Sequence, residues 1–207
     1  MTSSLKIGVV RFPGTNCDRD VFKWLEDQGH KPQWLWHEDL FDAKSIEALA
    51  IPGGFSFGDY LRSGAVAARS RCMLSVKEVA DSGKPVIGIC NGFQILCEAG
   101  LLPGALIPNE SGLFIDDWAE LESPKDKKVI KLPIAHGDGR YFIHEDEKKK
   151  LWDNNQVWWQ YKNTPNGSVD KIAGVTNLTG NVRGLMPHPE RAYRDWMGSV
   201  DGWEFWI

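Results

Sequence analysis

Short, mostly apolar runs alternate with amphipathic stretches through the first hundred residues. Leu5–Val10 predicts a buried strand, and Pro13-Gly14-Thr15-Asn16 follows it as a loop. Thr15 or Asn16 is placed to cap a helix running to about Gln28, with Gly29 ending it. Gln33–Trp36 predicts a second strand, and Ala48–Ile51 a third that stops at Pro52-Gly53-Gly54. A helix is expected over about Ala65–Asp81, ended by Gly83-Lys84-Pro85. Val86–Ile89 predicts a fourth strand, then a helix from about Gly92 to Ala99, closed by Gly100. This alternation implies an α/β fold with a mostly parallel sheet and helices on both faces. Sites in such sheets gather at the carboxyl ends of strands, so the loops after Ile51 and Ile89 draw attention first. Past Leu101 the pattern changes. Short β-rich runs between turns, at Trp118–Leu121, Val129–Leu132 and Gln156–Tyr161, predict antiparallel strands added to the same sheet.

Composition narrows the classes without choosing among them. A length of 207 residues fits one domain spanning 1–207, and 42% hydrophobic with 25% charged residues supports a buried core. A formal charge of −4 argues against a dedicated nucleic-acid surface. The Lys-rich stretches Lys125–Lys131 and Lys148–Lys150 lie among acids and read as solvated faces and loops. No run approaches the ~20 apolar residues of a membrane span, and Ile7–Val10 is too short for a signal segment. Cys17, Cys72, Cys90 and Cys97 show no CxxC or zinc-type pairing, so reduced thiols in the cytoplasm and no metal are expected. Ten tryptophans are unusual. They read either as core and sheet-face packing or, at Trp203-Glu204-Phe205-Trp206-Ile207, as a partner surface.

Chemistry concentrates in three segments. Gly88-Ile89-Cys90-Asn91-Gly92 is a Gly-x-Cys-x-Gly pattern between a strand and a helix, the thiol counterpart of a nucleophile elbow. Small neighbours relieve crowding at a strained turn, and the helix N-terminus favours a thiolate. Cys97 reads as core, and Cys72 as core or half-buried. Cys17 opens a helix, where a lowered pKa is conceivable, but Asp18 and Asp20 argue against an activated thiolate. Pro187-His188-Pro189-Glu190 supplies a base and its orienter: in an extended segment His188 and Glu190 point the same way. For an oxyanion hole, the backbone N–H groups of Asn91 and Gly54 are well placed. Gly53 and Gln94, in the same two segments, complete the expected oxyanion and substrate-binding set. His136, in a glycine-rich loop, is a secondary candidate that reads equally well as a structural turn histidine. Neither GxxxxGK[ST] nor GxGxxG occurs, so no ATP or dinucleotide site is recognisable here.

Taken together, these segments resemble class I (triad-type) glutamine amidotransferases. The stretches PGTNCDRD at 13–20, PGGFSFGDYLRSGAVAA at 52–68, GICNGFQIL at 88–96, PIAHGDGRY at 133–141 and GNVRGLMPHPERA at 180–192 narrow the resemblance. They are similar to PurQ-type glutaminase subunits of phosphoribosylformylglycinamidine synthase, over nearly the whole chain. The resemblance implies the class I amidotransferase fold, a flavodoxin-like or Rossmann-like sheet. It implies a Cys90–His188–Glu190 triad, a γ-glutamyl thioester on Cys90, and ammonia passed to a large synthetase subunit, with a small accessory subunit assisting. No cofactor is expected on this chain; ATP and Mg would bind the synthetase. Three departures from the pattern bear on docking: Asp116 and Asp117 before Trp118, a shortened loop between Glu122 and Lys131, and an early C-terminus. They motivate an alternative, a catalytically silent partner-binding subunit. A third reading is a related cysteine hydrolase acting on peptides or small aldehydes.

Overall fold

The computed structural model describes residues 4–203. In chain order the elements are β1 (Lys6–Arg11), α1 (Asp18–Asp27), β2 (Lys31–Trp36), β3 (Ala48–Ile51), α2 (Cys72–Asp81), β4 (Val86–Ile89) and α3 (Asn91–Glu98). Then come β5 (Ala105–Ile107), β6 (Ile115–Glu122), β7 (Val129–His136), β8 (Arg140–Phe142), α4 (Glu145–Asp153), β9 (Val157–Tyr161), β10 (Ile172–Thr176) and β11 (Val182–Leu185). One sheet runs β2-β1-β3-β4-β11-β10-β9-β6-β7, and β5 pairs with β8 apart from it.

The strands from β2 to β11 are parallel, and those from β10 to β7 are antiparallel additions. β3 and β4 are buried along their whole length, as strands covered on both faces must be. β7 alternates buried and less buried positions, the period of a strand with one covered face. From β1 the chain steps one way to β2 and later the other way from β3 to β4. Right-handed crossovers therefore put α1 and α2 on opposite faces. The edge strand β2 is shielded by Phe22, whose ring stacks on Trp34 at 4.2 Å.

Several expectations needed correction. Neither Thr15 nor Asn16 caps α1, because each is used inside the loop. Thr15 Oγ1 accepts from the Phe12 N–H at 3.0 Å, and Asn16 Oδ1 accepts from the Cys17 thiol at 3.3 Å, so Cys17 itself precedes the helix. The single helix expected over 65–81 is broken at Ser70, whose extended backbone separates a 3-10 turn at Ala67–Arg69 from α2. Lys148–Lys150 lie on the solvated face of α4, a helix the apolar pattern did not announce. α4 carries so few apolar residues that only Leu151 is buried, which hides the period; its acids in the first turn and Lys150 in the last complement the helix dipole. β11, over which no strand was expected, returns to lie parallel beside β4.

The stretch 198–203 packs beneath the turn that holds His188 and Glu190. Trp24 Nε1 donates to the Gly202 carbonyl at 3.0 Å, and a side chain on Gly202 would strike the Pro189 carbonyl. Trp24 is thus core, while Trp203 stacks on Tyr193 and is half exposed. Glu204–Ile207, the rest of the expected partner surface, lie outside the described residues. No helix among the described residues is long and apolar enough to cross a membrane.

Candidate active site

The carboxyl ends of β1, β3, β4 and β11 converge. The loops after β1 and β3 are stitched together by Cys17 N–H to Gly53 O at 3.2 Å and Phe55 N–H to Gly14 O at 3.0 Å. Thr15 and Gly54 form the pair between these two bonds, so the Gly54 N–H is turned away from the partner loop. Gly54 has φ +141, a conformation that favours glycine, and a Cβ there would lie 2.6 Å from Asn16 N.

Cys90 occupies the turn between β4 and α3 with φ 52 and ψ −107, a strained backbone held by its surroundings. Its N–H donates to Leu185 O at 2.8 Å, tying the elbow to β11. The flanking glycines have a steric cause. A Cβ on Gly92 would lie 1.9 Å from Ile51 O, and one on Gly88 would lie 2.6 Å from the Gly92 carbonyl. The Asn91 N–H is in the first turn of α3, where helix amides lack intrahelical acceptors.

His188 and Glu190 are each about 1% exposed, and His188 Nδ1 lies 2.6 Å from Glu190 Oε1. The segment is not extended as expected, since Pro189–Arg191 form a 3-10 turn. The His188 N–H bonds to Pro133 O at 2.9 Å, and this turn still brings the two side chains together. Burial on its own would lower the His188 pKa, but the charges of Glu190 and Cys90 outweigh it and raise it to about 10. Cys90 and His188 meet at Gly53: a Cβ there would sit 2.9 Å from His188 Cε1 and 3.2 Å from Cys90 Cβ. Gly53 therefore leaves room for Cys90 and His188, and its carbonyl anchors Cys17.

The far wall is β7 and the loop after it. Ala135 O lies 3.7 Å from Cys90 Sγ. His136 is buried, with Nδ1 3.1 Å from Asn109 Oδ1; burial first, and the charge of His188 second, lower its pKa to about 4. It is thus a neutral, structurally bonded histidine that also stands near the triad. Gln94 accepts from Asn91 Nδ2 at 2.8 Å and donates to Asp138 O at 2.6 Å, locking α3 to this loop. Asp116 and Asp117 are exposed on β6, opposite Ala135 and Ile134 of β7. The shortened loop closes as a tight turn, with Ser123 N–H bonded to Lys128 O.

Two site residues, Arg191 and Asn109, escaped the sequence reading, and Cys17 was weighed only as a nucleophile. Cys17 lies behind His188 and Glu190, and its pKa is raised, by burial and then by the charge of Glu190, in line with the argument against an activated thiolate. Arg191 donates to Cys17 Sγ at 3.1 Å. Asn109 holds His136 and the Gly139 N–H. Sequence offers no sign for Asn109, or for the seating of Arg191 on Cys17, since both act through distant partners. Among the described residues, Cys17, His188 and Glu190 form the one group whose donor atoms could surround a metal ion. Arg191 places a cation against that sulfur, and Glu190 Oε1 is engaged by His188.

Residues 4–205 match the family model for the CobB/CobQ-like glutamine amidotransferase domain. The chain is 51% identical to the phosphoribosylformylglycinamidine synthase subunit PurQ of Prochlorococcus marinus (strain MIT 9312), covering 95% of this chain and 93% of that protein. It superimposes on a chain in the structure of PurLQS from Thermotoga maritima with TM-score 0.88 and 44% identity, over 97% of this chain and 94% of the other. A second glutamine amidotransferase from Thermotoga maritima, 17% identical, shares the fold with TM-score 0.62 over 93% of this chain and 79% of that one. With the match spanning nearly every residue, including the elbow and the His188–Glu190 turn, the chain belongs to the CobB/CobQ-like glutamine amidotransferase family.

Proposed function

We propose that this chain is the glutaminase subunit of phosphoribosylformylglycinamidine synthase and acts as one amidotransferase domain, 1–207. The observation that carries the reading is the buried His188–Glu190 pair, 2.6 Å apart, beside a strained cysteine elbow. With His188 already holding the thiol proton as the imidazolium, Cys90 Sγ attacks the side-chain amide carbon of glutamine. The N–H groups of Gly54 and Asn91 receive the oxyanion, and Gln94 braces the wall beside it. His188 returns the proton to the departing ammonia, leaving a γ-glutamyl thioester. Water, deprotonated by His188, then releases glutamate and restores the thiol. Glutamine and water go in; glutamate and ammonia come out.

The relatives' names supply the setting: a PurQ subunit, and a complex named PurLQS. Ammonia passes to the large synthetase subunit, which converts formylglycinamide ribonucleotide to formylglycinamidine ribonucleotide in purine synthesis, with a small accessory subunit in the assembly. ATP and Mg belong to the synthetase, and this chain carries no cofactor. We assign it to the cytoplasm, where its four free thiols stay reduced. The test is glutamate release with the synthetase and accessory subunits present, for the native chain and Cys90→Ala. The variant should lose glutamine-dependent activity and keep activity with ammonium; equal glutamate release by the two proteins would overturn the reading.

A further inference from the structure

Behind the triad lies a second, charged layer. Arg191 Nε bonds to Asp20 Oδ2 at 3.2 Å, and its Nη2 donates to Cys17 Sγ at 3.1 Å. Cys17 is 3% exposed, and its sulfur lies within 4.8 Å of donor atoms on both His188 and Glu190. Glu190 Oε1 is bonded to His188, while Oε2 is buried without a hydrogen-bond partner among the described residues. A buried carboxylate with one free oxygen needs nearby positive charge to stay ionised. Two cations can meet that need: His188 when protonated, and Arg191, whose guanidinium is charged at every working pH. The groups facing this pair are Cys17 and Asp20 from the β1–α1 side, Cys90 from the elbow, His136 from β7, and Arg191 on its own turn. Glu190 and Arg191 also line a surface cleft of about 540 Å³, so this side of the triad borders solvent.

We propose that Arg191 is a positioning residue for the triad: anchored by Asp20 and seated on the sulfur of Cys17, it sets positive charge behind the Glu190 carboxyl and keeps it aligned on His188. Cys17 is the uncharged spacer of this arrangement and has no nucleophilic role. Arg191 stays charged whatever proton His188 carries, so the positive charge behind Glu190 is constant. The inference rests on the triad reading above, and its test avoids glutamine.

The experiment is site-resolved alkylation of Cys90 by iodoacetamide from pH 5 to 10, read by peptide mass spectrometry on the intact chain. Arg191→Gln should slow Cys90 alkylation on the order of tenfold at pH 7 and move the half-maximal rate to higher pH, about one unit being a tenfold change. Arg191→Lys should recover most of the shift, and Cys17→Ala should move the profile in the same direction. An unmoved profile in Arg191→Gln overturns the proposal. So does equal slowing at every pH in both Arg191 variants, which would mark a purely structural residue. If Arg191→Gln fails to fold, Asp20→Asn frees the guanidinium from its anchor and carries the same two outcomes. Because no glutamine is used, a chain that never hydrolyses glutamine would sink the functional reading and leave this one standing.

Discussion

Gly92→Ala adds one methyl group at the most crowded point beside Cys90. Its Cβ would lie 1.9 Å from Ile51 O, and real Cβ contacts essentially never fall below 3.0 Å. The end of β3 and the start of α3 must therefore separate by about 1.1 Å, carrying Gly53 and Gly54 away from Cys90. Overpacking of this kind costs about 1–3 kcal/mol. Alanine returns up to about 1 kcal/mol through its better helix propensity at that position. The net loss is about 0–3 kcal/mol, or no more than roughly 12 °C in Tm for a chain this long. Catalysis should suffer far more, since a misplacement of about 1 Å costs on the order of a hundredfold in kcat. The assay is glutamine-dependent turnover in the complex, with ammonium-dependent turnover as the internal reference. Gly100→Ala is the control: φ is +70 and nothing lies within 4 Å of a Cβ there, so it should cost about 1 kcal/mol of stability and no activity. Glutamine-dependent kcat within twofold of the native value in Gly92→Ala would refute the steric reasoning.

Glu190→Gln keeps the shape of the orienter and removes its charge; kcat should fall about a hundredfold or more. The same variant tests linkage. His188 is raised to about 10 in the fold, so its pairing stabilises the protein fully below the ordinary pKa near 6.5 and fades as pH rises through 10. Thermal melts of native and Glu190→Gln protein should thus converge toward pH 10. Asp59 is raised to about 6 by burial and then by the charge of Asp138, so the native chain loses stability as pH climbs from 4 to 6. Asp59→Asn should melt with the native protein at pH 4 and above it at pH 7.5; equal melts at both would contradict this. Asn109→Leu strands His136, the Gly139 N–H and the carbonyls of His136 and Leu113, and should cost about 2–4 kcal/mol in denaturant unfolding at unchanged m.

The parallel half of the sheet was legible because fully buried strands such as Ala48–Ile51 and Val86–Ile89 read as unbroken apolar runs between glycines and prolines. The elbow was legible for a related reason: Gly88 and Gly92 must be small wherever this turn is built. His188 and Glu190 were found by their spacing, although the turn between them is 3-10 rather than extended. Less local features stayed hidden. β11 is four residues long and contains Arg183 and Gly184, so its place beside β4 follows from tertiary pairing and not from composition. α4 was masked by its charge, and the seating of Arg191 on Cys17 by a separation of 174 residues. The start of α1 moved because Thr15 and Asn16 spend their side chains within the loop.

The most direct test of the account is covalent trapping at the elbow. A diazoketone analogue of glutamine, offered to the assembled complex, should add one label per chain at Cys90, block glutamine use, and spare ammonium use. Labelling should vanish in Cys90→Ala and fall sharply in His188→Asn. Absence of label at Cys90 in a complex that still turns over glutamine, or full turnover by Cys90→Ala, would contradict the claim that this thiol performs the chemistry.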